Sequence, residues 1–188
     1  MPKSCRCGQA EILDACGLDR VMGELRPEVR AVLSTCRFTA ARISEALSLT
    51  WGNVTASAVV IPKACTKKKM GTRTIPINPK LWEELLSWRS GFATEPLNTD
   101  WLFPSPRDAT KPFSRRTIDH ALRMACKKLG FEGVSTHSFR RSALTAASSK
   151  GVPLRVIQSI SGHSSLEVLQ RYLSVTDNQR KVAALAFD

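Results

Sequence analysis

Ala58-Val59-Val60-Ile61-Pro62 and Thr72-Arg73-Thr74-Ile75-Pro76-Ile77 are the two stretches in which the apolar spacing becomes that of strands. Both are rich in β-branched residues, and Lys63, Lys67, Lys68, Lys69 and Gly71 lie between them, so the pair predicts a basic β-hairpin. On both sides the period is helical. Residues 26–39 open with Pro27 and carry Val29, Val32, Leu33 and Cys36, and a second run passes through Ile43, Leu47 and Leu49. Downstream, Asn78-Pro79 offers an N-cap and a first-turn proline to a helix with Leu81, Trp82, Leu85, Leu86 and Trp88, a set expected in the core. Ser114 caps a helix with Ile118, Ala121, Leu122, Ala125 and Leu129 on one face and Arg115, Arg116, Arg123, Lys127 and Lys128 on the other, stopped by Gly130. Thr136 caps a third helix that runs to Lys150-Gly151. Two short helices, over 153–160 and 166–173, flank Ser161-Gly162-His163-Ser164-Ser165. The fold class is therefore α+β and mainly helical.

The chain has 188 residues, 43% of them hydrophobic, which is enough for one compact core without disulfides or a structural metal. No repeat, low-complexity tract or linker divides it, so it reads as one domain over 1–188, with a loose start at 1–9, a core over about 25–175 and a tail at 176–188. The six cysteines are scattered, and there is no C-x-x-C, no secretory signal and no apolar run of membrane-spanning length. These features point to the reducing cytoplasm. Cys5 and Cys7 supply only half a zinc site and no matching pair follows, so no metal is expected.

Charge is uneven. The chain carries 28 Lys+Arg against 16 Asp+Glu, a formal +12, and residues 107–181 alone hold 14 against 5. With the lysine hairpin this gives two concentrations of cations, suited to neutralising phosphates with release of counterions. Nucleic acid is the expected partner.

Tyr172 is the sole tyrosine and lies within Gln170-Arg171-Tyr172-Leu173. His137 and Arg140, three apart, share one helix face, and His163 follows the Gly162 turn. Each has a bland alternative: His137 as polar surface, His163 as a turn residue, Arg140 or Arg141 as a surface cation, Arg42 as an i,i+3 partner of Glu45, and Tyr172 as a packed ring. Taken together they supply what metal-free phosphoryl transfer needs. Two guanidiniums can fork onto the non-bridging oxygens of a phosphodiester, a lysine or imidazole can protonate a leaving oxygen, and a phenol can attack.

In order, Ala41-Arg42-Ile43-Ser44-Glu45, the lysine hairpin, His137-Ser138-Phe139-Arg140-Arg141, Ser161-Gly162-His163-Ser164-Ser165 and Gln170-Arg171-Tyr172 resemble the catalytic domain of the tyrosine recombinase, or phage integrase, family. The resemblance begins near residue 25 and implies an integrase-type DNA breaking-rejoining domain with a small β-hairpin or three-stranded sheet. It also implies strand exchange on double-stranded DNA through a transient 3′-phosphotyrosyl bond, with no cofactor or metal, in a homo-oligomer, a tetramer, on DNA. Carried over by position, Tyr172 is the nucleophile, Arg42 and Arg140 clamp the phosphate, His163 hydrogen-bonds it and His137 assists proton transfer at the tyrosine. The general-acid lysine, counted back eight residues from Pro76, is Lys68, with Lys67 and Lys69 as alternatives because strand neighbours face opposite ways.

Two features depart from the family pattern. Thr39-Ala40-Ala41 has alanine where a glycine is usual, which is expected to stiffen the helix entry. No segment reads as the separate N-terminal helical domain that completes the clamp around DNA: either the chain is a cut-down piece of a longer protein or it is a natural single-domain member, and for the latter weak DNA binding or a need for a partner is expected. After Tyr172, a turn at Thr176-Asp177-Asn178 leads to a helix with Val182, Leu185 and Phe187 on one face. The resemblance implies docking of this tail on a neighbouring subunit, and packing onto its own domain is the alternative.

Competing readings are a non-catalytic DNA-binding module, with 153–173 as helix-turn-helix, and a type IB topoisomerase-like nicking enzyme. The acids of the basic half, Asp108, Asp119, Glu132, Glu167 and Asp177, form no evident cluster, which disfavours a magnesium-dependent nuclease.

Overall fold

The computed structural model describes residues 10–65, 71–171, 173 and 177–185. Cys5, Cys7, the lysines at 67–69 and Tyr172 lie outside them.

The chain enters through α1 (Ala15–Gly23), whose N-cap Asp14 accepts from the Gly17 amide at 2.7 Å. This helix buries Leu18, Val21 and Met22, so the core starts near Leu13, about a dozen residues earlier than the expected boundary. α2 (Pro27–Thr39) follows, with Pro27 setting its first turn, and it packs against α3 (Ile43–Leu47), α4 (Pro79–Arg89) and α6 (Thr136–Ser149). Between α3 and α4 the strands β1 (Ala58–Ile61) and β2 (Arg73–Pro76) pair antiparallel, Val59 opposite Ile75 and Ile61 opposite Arg73. β3 (Pro104–Ser105) and β4 (Asp108–Pro112) form a second, exposed hairpin. Among the described residues both sheets are two-stranded, so of the two expected forms it is the β-hairpin and not the three-stranded sheet that is present.

Two apolar clusters divide the interior. The larger is centred on α2, where Val29, Val32, Leu33 and Cys36 meet Val59, Ile61, Ile75, Leu81, Leu85, Leu102, Phe103 and Phe139, together with Ile118 and Leu122 of α5 (Arg115–Leu129). In α4 the inward set is Leu81 and Leu85. Leu86, expected inside, is 43% exposed, because it sits one position off the buried stripe. The smaller cluster joins Ala40 and Leu144 to Ile157 of α7 (Leu154–Ser161) and Leu169 of α8 (Leu166–Gln170). Phe139 lies in the larger and Leu144 in the smaller, so α6 passes from one to the other.

Local caps and boundaries differ from expectation at four points. Ser135 is the N-cap of α6, its amide bonded to the Ser138 hydroxyl at 3.1 Å, and Thr136 is the first helical residue, 4% exposed. Ser114 occupies the N-cap position of α5 but makes no capping bond through its side chain. α8 stops at Gln170 after five residues, short of the expected end at 173, and is too short to serve as the recognition helix of a helix-turn-helix. The tail helix α9 (Asp177–Leu185) begins one residue into the expected turn.

Candidate active site where the two clusters meet

Thr39-Ala40-Ala41-Arg42 crosses the seam between the clusters. Ala40 ends α2 in the left-handed conformation (φ 51°, ψ 26°), the one described non-glycine residue at positive φ. The expected stiffening of a helix entry is therefore replaced by a sharp turn outside the helix. That turn aims the Ala40 carbonyl at Arg140 Nη1, which donates to it. It also places Arg42 at the start of α3, where its amide donates to Glu45 Oε2 at 2.9 Å and its Nη1 to Glu45 Oε1 at 2.8 Å.

Glu45 is fully buried and shared. Its Oε2 also accepts from Arg73 Nη2 at 2.9 Å, and Arg73 Nη1 donates to the Ser161 carbonyl at 3.1 Å. Burial opposes ionisation of this carboxyl, but the Arg42 amide and the Arg73 and Arg42 guanidiniums prevail and hold it below the ordinary value. The i,i+3 pairing that would make Arg42 an unremarked helix cation is thus what orients it, leaving its side chain 24% exposed. Arg73 is only 8% exposed, since alternation along β2 turns it inward with Ile75.

Arg140, 1% exposed on α6, bridges the two sides. Its Nη2 donates to the Ser161 carbonyl at 2.7 Å and stands 3.2 Å from Nε2 of His163. His163 is 3% exposed, and its Nδ1 lies 2.7 Å from the Ser161 hydroxyl. Its carbonyl accepts from Gln158 Nε2 at 3.1 Å, which ties the loop to α7. Burial, then Arg140, Arg42 and Arg73, push the imidazole down to about 3, so it is neutral at physiological pH. Gly162 makes this closeness possible: its φ is +64°, and a Cβ there would fall 1.7 Å from Arg73 Nη1.

His137, one turn before Arg140, remains exposed at the start of α6. Crowding of the ring by protein, then the charges of Arg115, Arg140 and Arg42, lower its pKa from the ordinary value. Arg141 faces away and binds the Ala10 carbonyl, fastening the N-terminal segment. Arg42, Arg140 and His163 are thus gathered in one hydrogen-bonded frame with His137 at its rim, while Lys68, its neighbours Lys67 and Lys69, and Tyr172 fall outside the described residues. Glu45, Arg73 and Ser161 are the members that sequence reasoning missed.

Such a frame presents guanidinium and imidazole groups with no carboxylate other than one already paired, which suits an anionic, monovalent phosphodiester. Among the described residues no three His, Cys, Asp or Glu side chains gather into a metal-binding group, and no helix is long and apolar enough to cross a membrane. Nearby, Arg116, Arg123 and Lys127 of α5 are exposed, whereas Lys128 is tied to Glu24 at 2.6 Å and Arg115 to Asp119 at 3.3 Å.

Comparison with known proteins places these residues in a wider group. The sequence model described as Phage integrase family matches residues 11–179. Tyrosine recombinase XerD of Mycobacterium tuberculosis is 30% identical over 181 residues, covering 94% of this chain and 58% of its own length. The crystal structure of XerA recombinase superimposes with a TM-score of 0.76 at 23% identity, over all of this chain and 67% of that one. That of XerH site-specific recombinase bound to palindromic difH substrate, a post-cleavage complex, gives 0.74 at 21%, over 95% of this chain and 53% of that one. The chain spans about half to three fifths of the length of the first three curated relatives it matches.

Proposed function

Because this chain belongs to the phage integrase family, we propose that it breaks and rejoins double-stranded DNA at specific sites through a covalent phosphotyrosyl intermediate. The observation that carries this reading is the convergence of Arg42, Arg140 and His163 on one spot, fixed by Glu45, Arg73 and Ser161. Guanidiniums whose rotamers are already fixed stabilise the charge that grows on a phosphate without reorganising during the reaction.

In the proposed reaction Tyr172 Oη attacks the scissile phosphorus while the bond to the 5′-oxygen breaks, leaving a 3′-phosphotyrosyl link and a 5′-hydroxyl. Lys68 on the hairpin protonates the departing oxygen. His137, held neutral and open to solvent, takes the tyrosine proton. Arg42 and Arg140 neutralise the non-bridging oxygens and His163 hydrogen-bonds one of them. Attack by a 5′-hydroxyl reverses the steps and rejoins the strand, and the conserved phosphodiester energy removes any need for ATP or a metal.

DNA binding draws on the net +12 charge and on the exposed cations of α5. XerH is bound to its substrate in the complex that this fold resembles, which supports the same partner for this chain. Work on chromosomal or phage DNA sets the protein in the cytoplasm, at the nucleoid. Exchange between two duplexes needs four active sites, hence a tetramer on DNA. Leu185 of α9 is 77% exposed, which favours docking of the tail on a neighbouring subunit.

The test is a covalent trap on nicked duplex, read on a denaturing gel. The unaltered protein yields a protein-linked DNA band, and Tyr172→Phe yields none while retaining its DNA affinity; an adduct that persists in Tyr172→Phe overturns the assignment.

A further inference from the structure

Ser161 is fully buried and sits at the crossing point of the site, yet it carries no charge and touches no surface. Its carbonyl accepts from Arg140 Nη2 at 2.7 Å and Arg73 Nη1 at 3.1 Å, and its hydroxyl lies 2.7 Å from His163 Nδ1. The directions of these bonds follow from what each group can do. Arg140 can only donate, and its Nη2 lies nearer Nε2 of His163, at 3.2 Å, than Nδ1, at 3.5 Å and already paired with Ser161, so Nε2 accepts. The neutral ring then carries its proton on Nδ1 and gives it to Ser161 Oγ, whose own hydrogen points to the Gln158 carbonyl at 3.4 Å. Arg140, His163, Ser161 and Gln158 thus form one donor-to-acceptor chain.

We propose that Ser161 is a positioning residue: its hydroxyl holds the ring of His163 in place by accepting from Nδ1 while Arg140 occupies Nε2, and it lets the tautomer change without moving the ring. This rests on the reading of His163 as a phosphate ligand. A phosphate oxygen beside Nε2 needs an N–H there. One proton passes from Nδ1 to water and another from water to Nε2, so the charge of the ring is unchanged; Arg140 Nη2 turns its hydrogen from Nε2 to the phosphate oxygen, and the Ser161 hydroxyl turns from accepting to donating at Nδ1. A hydroxyl serves both forms because it holds one donor and two lone pairs. A side chain without it leaves a buried ring nitrogen unmatched in one form or the other.

The experiment has two independent readouts on the full chain. With histidine labelled by nitrogen-15, the DNA-free protein shows His163 protonated at Nδ1 and unprotonated at Nε2; Ser161→Ala, which takes the acceptor from that N–H, shifts the Nδ1 resonance, and Ser161→Thr retains it. In the nicked-duplex assay Ser161→Ala slows adduct formation about tenfold, the worth of one buried hydrogen bond, at DNA affinity within about twofold, and Ser161→Thr recovers most of the rate. If Ser161→Ala leaves the nitrogen spectrum as it was, or cleaves as fast as the unaltered protein, the proposal is wrong. Failure of the unaltered protein to form any adduct counts against the phosphotyrosyl reading instead, because the nitrogen spectrum does not depend on cleavage.

Discussion

His163 is surrounded by Arg140, Arg42 and Arg73, and that company sets the response of the protein to acid. The imidazole takes up its proton near 6.5 in the unfolded chain but only near about 3 in the fold. Between those values the unfolded state holds a proton that the native state refuses, so stability is full above about pH 6.5 and falls as pH drops, by up to about 1.4 kcal/mol per pH unit for one proton. Glu45, held below its ordinary 4.5, acts in the same direction at lower pH, because its carboxylate must be protonated as the fold opens. Thermal unfolding followed from about pH 8 to pH 4 should show a melting temperature that declines from the mid-six region onward, and His163→Gln should flatten the upper part of that decline. A melting temperature constant between about pH 7 and pH 5 contradicts the buried neutral imidazole. At this scale the sequence named the residues with unusual chemistry but not the ones that hold them. Arg42, Arg140 and His163 stand in recognisable short motifs. Arg73 shows in the sequence only as one residue of an expected strand, although its two-residue spacing from the inward Ile75 carried the signal. Ser161 left no signal, since a buried serine becomes visible only through the partners that three-dimensional packing brings to it.

The turns between elements do as much for the site as the elements. Ala40 bears the cost of a left-handed residue, about 1–2 kcal/mol, but its Cβ is buried among Leu144, Ile157 and Leu169, a gain of about 0.8 kcal/mol. Alanine is therefore tolerated where a glycine would be easier. Gly162 has no such latitude: its φ is +64° and Arg73 occupies the place of a side chain. Gly162→Ala should drive Arg73 off Glu45 and destabilise the protein by about 2–4 kcal/mol in denaturant titration, combining backbone strain with a broken buried pair. A loss under about 0.5 kcal/mol would show that Arg73 is not seated there. Long elements with strong patterns, α2, α4 and α5, and the β1–β2 hairpin were legible from periodicity and caps. α1 was not expected: Asp14 followed by Leu18, Val21 and Met22 carried its signal, but its short span beside a cysteine-bearing start hid it. The early end of α8 was not, because Leu169 packs into the smaller cluster and tertiary contact there outweighs the local pattern.

At the scale of the molecule, two apolar clusters meet along α6, and the site occupies their seam. Side chains on both sides are held in place: Arg140 stands on α6 and Arg73 on β2, and Arg42, at the N-cap of α3, is fixed by Glu45. On the proposed function the +12 charge of the chain draws a polyanion and makes binding salt-sensitive. Composition alone pointed to nucleic acid as the expected partner, since charge is a whole-chain property. The most direct measurement is the chemistry of the cut ends after reaction with nicked duplex in the presence of a metal chelator. Phosphotyrosyl chemistry predicts a 3′-phosphate joined to the peptide bearing Tyr172 and a 5′-hydroxyl on the other side. Ends carrying 5′-phosphate and 3′-hydroxyl, formed only when a divalent cation is supplied, would contradict it.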